Sequence, residues 1–256
     1  MGLRQAIATH LEQFRGMHVQ PEQIFITSGY AASMTLILRA LSQPGEGMWV
    51  EDPGFPLIHP VVAQERIELM PVAVDAVGLD VCAGIRDYPQ ARFVLLTPAH
   101  QSPLGVALSL DRRHQLLEWA TRAQAWIIED DYDSELRYIG QPFPALHAMA
   151  PDRVIYLGTF SKVLFPSLRL GYAVLPKVLV AAFCGLRALI DRHPPSADQH
   201  VLAAFIQEGY LERHIRRIRH VYAENRQQII QLIDRYIPKT QAFIESGDQG
   251  MHMVLW

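Results

Sequence analysis

Two short runs, "FVLLT" from Phe93 and "WIIE" from Trp126, are almost wholly apolar. A strand with one wet face alternates apolar and polar residues. A strand covered on both faces does not, and such strands occur where helices flank a parallel sheet. The rest of the chain fits that constraint by alternating strand and helix. Residues Leu3 to Arg15 carry Leu3, Ile7, Leu11 and Phe14 at helical spacing. "QIFITSG" is a strand closed by glycine, and "YAASMTLILRAL" is the helix after it. "GMWVEDPGF" runs as a strand into a Pro-Gly turn. "RIELMPVAVD", "ARFVLLTP", "AWIIEDDY", "RVIYLGTFS" and "RLGYAVL" are further strands. "DRRHQLLEWATRAQ" is a helix that Asp111 is expected to N-cap. These elements predict an α/β fold, a mostly parallel sheet between helices.

The last part differs. "KVLVAAFCGLRALIDRH" and "QHVLAAFIQEG" are helices on either side of "PPSADQH", and a long helix is predicted from Tyr210 to Tyr236. "QAFIES" and "GMHMVLW" are expected as two strands. The boundaries expected are 1–190 for a large ligand-binding domain and 191–256 for connecting helices and the start of a small α+β domain.

Charge removes some functions. The formal net charge of −3 gives no whole-chain case for nucleic-acid binding, and the charges of "RRIRHVYAENRQQ" suit a solvated helix face. Cys82 and Cys184 are far apart and lack metal-ligand spacing, which fits a reduced, cytoplasmic setting. No segment reads as a signal peptide or a membrane span.

Chemistry concentrates after strand ends, where open α/β sheets bind ligands. In "YLGTFSKVLFPSLRLGY", Lys162 follows Thr159 and Ser161. It is either a surface lysine or an amine placed to attack an aldehyde. In "IIEDDYDSE" the carboxylates of Glu129 to Asp133 could serve a metal, a helix start or the ring nitrogen of a pyridine cofactor. Asp130 and Tyr132, two apart on a strand, share a face, and Asp131 points away. Ser28, Gly29 and Tyr30 form a strand-to-helix turn, a weak phosphate-site signal by itself. Arg169 could add side-chain donors there, together with Thr159 and Ser161. Phe55 suits core packing, or stacking on a ring if one is present.

Taken in order, "TSGYAAS", "EDPGFP", "TPAHQSPLG", "IIEDDYDSELRY" and "LGTFSKVLFPSLRLGY" resemble the motifs of fold-type I, pyridoxal-phosphate-dependent aminotransferases. They are most similar to the aminotransferase-like effector domain of MocR-type regulators in the GntR superfamily. The resemblance covers nearly the whole chain and implies the large domain of an aspartate aminotransferase-like fold with pyridoxal 5'-phosphate as cofactor. It makes Lys162 the Schiff-base lysine, Asp130 the ring-nitrogen partner and Tyr132 the ring-oxygen partner. It gives Arg169, Ser161, Thr159 and the turn at Ser28, Gly29 and Tyr30 to the phosphate, and Phe55 to ring stacking where the branch usually has tyrosine. His100 and Gln101 fall on the loop near the cofactor, and Ser102 stands where the branch prefers an aromatic. An amino acid or amine is the implied ligand and a homodimer the implied assembly.

Two departures shape the expectations. The winged-helix DNA-binding domain of the regulators has no counterpart before the first helix, so no nucleic-acid contact by this chain is expected. The family's late substrate-carboxylate arginine has none either, which implies a chain cut at both ends and a poor aminotransferase by itself. Catalysis by an aminotransferase-like domain, effector sensing with little turnover, and an inactive remnant are the three functions compatible with the sequence.

Overall fold

The computed structural model describes every residue except Met1, Ile139, Gln141, Pro142, Asp191, His193, Pro194 and 245–249. Eight strands form one sheet: β1 (Ile24–Thr27), β2 (Gly47–Asp52), β3 (Glu68–Asp75), β4 (Gly78–Leu79), β5 (Phe93–Leu96), β6 (Trp126–Asp131), β7 (Val154–Thr159) and β8 (Gly171–Val174). Their order is β1-β8-β7-β6-β5-β2-β3-β4. Strands β3, β2, β5, β6 and β7 pair in parallel. Strand β8 is antiparallel to both neighbours, so β1 again runs with the majority. The carboxyl ends of β1, β2, β5, β6 and β7 therefore open on one edge of the sheet.

The apolar runs have the cause expected of them. In β6, Ile127 and Ile128 are both fully buried although they point to opposite faces. Ile128 packs in a core with Met34 and Ile37 of α2 (Tyr30–Leu41), Val62 of α3 (Ile58–Gln64) and Phe183 of α7 (Val180–Ile190). Ile127 packs on the other face with Leu116 and Trp119 of α5 (Leu110–Ala123). A third core, on that same side, joins α1 (Leu3–Arg15), α8 (Ser196–Gln207) and the start of α9 (Tyr210–Tyr236) to β1, β7 and β8. No helix among the described residues is long and apolar enough to cross a membrane.

The long helices α1, α2 and α9 match their expected spans. Other details differ. Ser109, not Asp111, caps α5, its Oγ accepting from the Arg112 N–H at 3.4 Å; Asp111 lies in the first turn, where a carboxylate favours the helix dipole. Helix α7 starts at Val180 because Lys177–Leu179 form a 3-10 turn, and it ends at Ile190. Part of the expected extension to residue 193 lies outside the described residues. The two expected final strands meet at a single antiparallel bridge, Ile244 to Leu255, with Glu245 and Ser246 of the first outside the described residues. Three short helices, α3, α4 (Val81–Asp87) and α6 (Leu146–Met149), were absent from the sequence reading. Each has seven residues or fewer, too short for an apolar period to show.

Candidate active site

The period of β6 sorts its carboxylates. Glu129 and Asp131 fall on the face of Ile127, and Asp130 falls with Ile128. Glu129 is fully buried and accepts the backbone N–H groups of Leu146 (3.0 Å) and His147 (2.9 Å), which caps α6. Asp131 faces Arg15 of α1, with Arg15 Nε 2.8 Å from Asp131 Oδ2. It also accepts from the Tyr156 hydroxyl at 2.8 Å and the Ser134 hydroxyl at 2.8 Å. These two carboxylates hold the architecture. Asp130, one position between them, is left for the edge of the sheet where the strands open.

There it lines a cavity of about 680 Å³. The loop after β7 brings Ser161 and Lys162 to its wall, and the segment entering β8 brings Arg169. Gly29 and Tyr30 come from the turn between β1 and α2, and Phe55 from the loop after β2. Tyr132 lies just beyond β6, on the same side as Asp130 as the alternation requires. Thr159 completes the β7 contribution. Three expected residues lie elsewhere. Ser28 lines a separate pocket beside Arg187. His100 is buried behind Tyr132 and hydrogen-bonded to Asp133 at 2.8 Å. Gln101 braces two loops, donating to the Pro53 and Ser102 carbonyls at 2.9 Å each and accepting from the Leu104 N–H at 2.9 Å. A wall that the sequence reading missed comes from residues 251–255, which line the cavity together with Ser102 and Pro103. No local motif signals it, because it is assembled from the far end of the chain.

The electrostatics are uneven. Burial pushes the Asp130 carboxyl up to about 8, helped by the nearby charges of Asp131, Glu51 and Asp133 and opposed by Lys162. Glu51, which accepts from the Thr97 hydroxyl at 2.7 Å, is pushed up by burial to about 7. Tyr132 and Tyr30 are held protonated, first by burial and then by surrounding carboxylates. On the other side, Arg169 pairs with no carboxylate among the described residues. Its guanidinium lies over Gly29, 3.8 Å from where a Cβ would stand. Gly29 has a φ of 104°, a conformation that costs other residues strain, and it precedes a helix N-terminus with no side-chain cap.

This donor set fits a phosphorylated pyridine. A guanidinium and free helix N–H groups suit a phosphate. An amine suits an aldehyde, and a carboxyl that lacks a cationic partner suits a protonated ring nitrogen. Phe55, 38% exposed and edge-on to Tyr30 at 5.7 Å between centroids, offers a ring face at the mouth.

A pH dependence follows from Asp130. The folded chain keeps this proton up to about pH 8, whereas the unfolded chain releases it near 3.8. Between those values the unfolded state binds fewer protons, so stability falls as pH rises, then levels off. Glu51 adds to the same slope between 4.5 and about 7. Asp130→Asn is expected to flatten this decline in the cofactor-free chain, leaving the shares of Glu51 and of Glu129, which burial also pushes up. Each unit of displacement is worth about 1.4 kcal/mol at most, so denaturant midpoints from pH 4 to 9 would show the difference. A slope unchanged in the variant would show that Asp130 ionises freely.

A mostly parallel sheet between helices, with a ligand-sized cavity beyond its strand ends, defines an α/β ligand-binding fold. Comparison with known proteins places the chain within that type: residues 2–256 match the model of "Aminotransferase class I and II", and the chain belongs to that family. It is 40% identical over 253 residues to the HTH-type pyridoxine biosynthesis transcriptional regulator PdxR of Corynebacterium glutamicum, covering 99% of this chain and 54% of that protein. It is 37% identical to the probable rhizopine catabolism regulatory protein MocR of Rhizobium meliloti, covering 98% and 51%. The chain thus spans about half the length of these curated relatives. Among solved structures it resembles LysN, an alpha-aminoadipate aminotransferase of Thermus thermophilus complexed with N-(5'-phosphopyridoxyl)-L-leucine. That match has a TM-score of 0.87 at 27% identity, covering 99% of this chain and 64% of that one. The α/β aminotransferase fold expected from the motifs is the fold found.

Proposed function

We propose that the chain holds pyridoxal 5'-phosphate and presents it to the amino group of an amino acid or amine. The observation that carries this reading is the convergence on one cavity of Asp130, near the end of β6, with Lys162 and Arg169, from the two ends of the β7–β8 connection. Pyridoxal phosphate, when bound, supplies an aldehyde that condenses with amines and a ring that accepts electrons. The residues divide the work of holding it. Lys162 would hold the aldehyde end through its amine. Asp130 accepts from the ring nitrogen and keeps it protonated, and that cationic partner draws its own carboxyl down into the charged form. Tyr132 hydrogen-bonds the ring oxygen, and Phe55 covers the ring. Arg169, Ser161, Thr159 and the backbone at Gly29 and Tyr30 anchor the phosphate. The Lys162 amine, when free, would be the group placed to hold or move a proton at that end of the cavity.

The test is borohydride reduction of the chain incubated with pyridoxal phosphate, followed by peptide mapping. A single label is expected on Lys162. A folded sample with no label, or with the label on Lys177 or Lys239, would refute the assignment.

The relatives that are 37–40% identical are named as regulators, and this favours effector sensing over sustained turnover. On this reading the amine ligand changes the state of the site and little product is released. A single-turnover assay over a panel of amino acids would show slow conversion; rates of roughly one per second or faster would mark an ordinary enzyme. The same reading makes the domain cytoplasmic and homodimeric, and its net charge of −3 gives no field for a nucleic acid to follow.

A further inference from the structure

Behind the cavity, a hydrogen-bonded chain links its two walls. On one wall the Tyr132 hydroxyl donates to the His100 carbonyl at 3.0 Å and lies 3.2 Å from His100 Nδ1. His100 Nδ1 is 2.8 Å from Asp133 Oδ2. The same Asp133 oxygen accepts the backbone N–H of Met251 at 3.3 Å, and Met251 lines the cavity with residues 252–255. His100 and Asp133 are 3% and 1% exposed, so water does not compete for these bonds.

The far wall is fastened at the same point. The Gly250 N–H donates to the Leu136 carbonyl at 2.9 Å, and its carbonyl accepts from the Tyr138 hydroxyl at 2.8 Å. The His252 ring stacks on His100 with centroids 4.5 Å apart, and its Nε2 lies 2.9 Å from the Pro103 carbonyl. Gly250 has a φ of 84°, and a Cβ there would overlap the His100 ring. Gly250 itself does not line the cavity, and neither His100 nor Asp133 does.

We propose that His100 and Asp133 are positioning residues that couple the wall formed by residues 251–255 to the hydroxyl of Tyr132, so that a ligand seated against this wall is registered at the cofactor ring. The inference rests on the cofactor reading above. The Tyr132 hydroxyl has one proton to give. It gives it to the His100 carbonyl in this structure and could give it to the ring oxygen of a bound cofactor. The seat of His100 decides between these acceptors, and that seat is shared with residues 250–252. Displacing the wall moves His100, and through it the hydrogen bond that Tyr132 offers the ring. The buried carboxylate makes the coupling stiff, because Asp133 would lose the Met251 N–H if residues 250–252 shifted and the His100 ring if His100 did, with no water to replace either.

The experiment compares the absorption maximum of bound pyridoxal phosphate in the full chain and its variants. Asp133→Asn keeps the shape and removes the charge. Gly250→Ala pushes on His100 from the far wall without touching the cavity. Both are expected to shift the absorption maximum in the same direction while still yielding the Lys162 label. In a Tyr132→Phe background, whose own maximum is the reference, neither change should shift it further. Such non-additivity marks residues acting through a common partner. A maximum unchanged in Asp133→Asn, or a shift that persists in the Tyr132→Phe background, would overturn the coupling. Should Gly250→Ala fail to fold, Asp133→Asn with and without Tyr132→Phe still decides. A wild-type chain that takes up no cofactor would overturn the cofactor reading and this inference together.

Discussion

Arg15→Ala is expected to cost the fold about 3–5 kcal/mol, the usual penalty for removing one partner of a buried ion pair. The side chains of Arg15 and Asp131 are 4% and 1% exposed, and the atoms face each other at 2.8 Å. Without the guanidinium, Asp131 keeps only the neutral donors of Tyr156 and Ser134 in a dry interior. The loss also frees α1, which Arg15 ties to the Phe143 carbonyl at 3.2 Å. The adjacent carboxyl should respond in the opposite sense. Among the described residues no cation is bonded to Asp130, so Asp130→Asn removes a charge that burial disfavours, and the cofactor-free chain should keep or gain stability near neutral pH. Two neighbouring aspartates thus separate: losing the partner of one is expected to destabilise the fold, and neutralising the other is not. Denaturant titration of Arg15→Ala and Asp130→Asn at pH 7 checks this, and similar losses in both would show that β6 does not divide its carboxylates as described.

Arg169→Ala should weaken pyridoxal phosphate binding tenfold to more than a hundredfold. A charge-assisted hydrogen bond contributes about 1.5–3 kcal/mol, and about 1.4 kcal/mol is a factor of ten. The change should spare the fold, because Arg169 is exposed and forms no ion pair among the described residues. Its φ of 51° is a left-handed conformation that alanine tolerates about as poorly as arginine, so the backbone cost is nearly the same in both. Affinity measured by equilibrium dialysis should fall while the denaturant midpoint of the free chain stays put. Equal affinity in the variant would remove Arg169 from the phosphate site.

What could be read before folding was whatever depends on neighbours in sequence. The two-residue period of a strand was enough to put Asp130 and Tyr132 on one side and Asp131 on the other. The uninterrupted "WIIE" announced a strand covered twice. Lys162 and Arg169 were visible because a strand end and a turn flank them. The wall of residues 251–255 was not, since Met251 reaches Asp133 across 118 positions and nothing local marks the meeting. His100 was placed near the cofactor by its motif, yet its seat behind Tyr132 depends on Gly250, which sequence spacing does not connect to it. The cap of α5 went to Ser109 rather than Asp111 because both residue types cap well, and only the chain's path chooses between them.

The reversed strand β8 has one more consequence. Strand β7 leaves the sheet at Thr159 and β8 re-enters it at Gly171, closed by the Phe160 N–H donating to the Leu170 carbonyl at 3.2 Å. Lys162 and Arg169 therefore stand on the two feet of a single arch. One arch thus carries both the amine and the guanidinium to the cavity. On the proposed reading the arch would act as a gauge, setting how far apart a guest's carbonyl and its anionic end can stand. Lengthening the arch between residues 163 and 168 would leave the sheet intact and recalibrate the site for a longer guest.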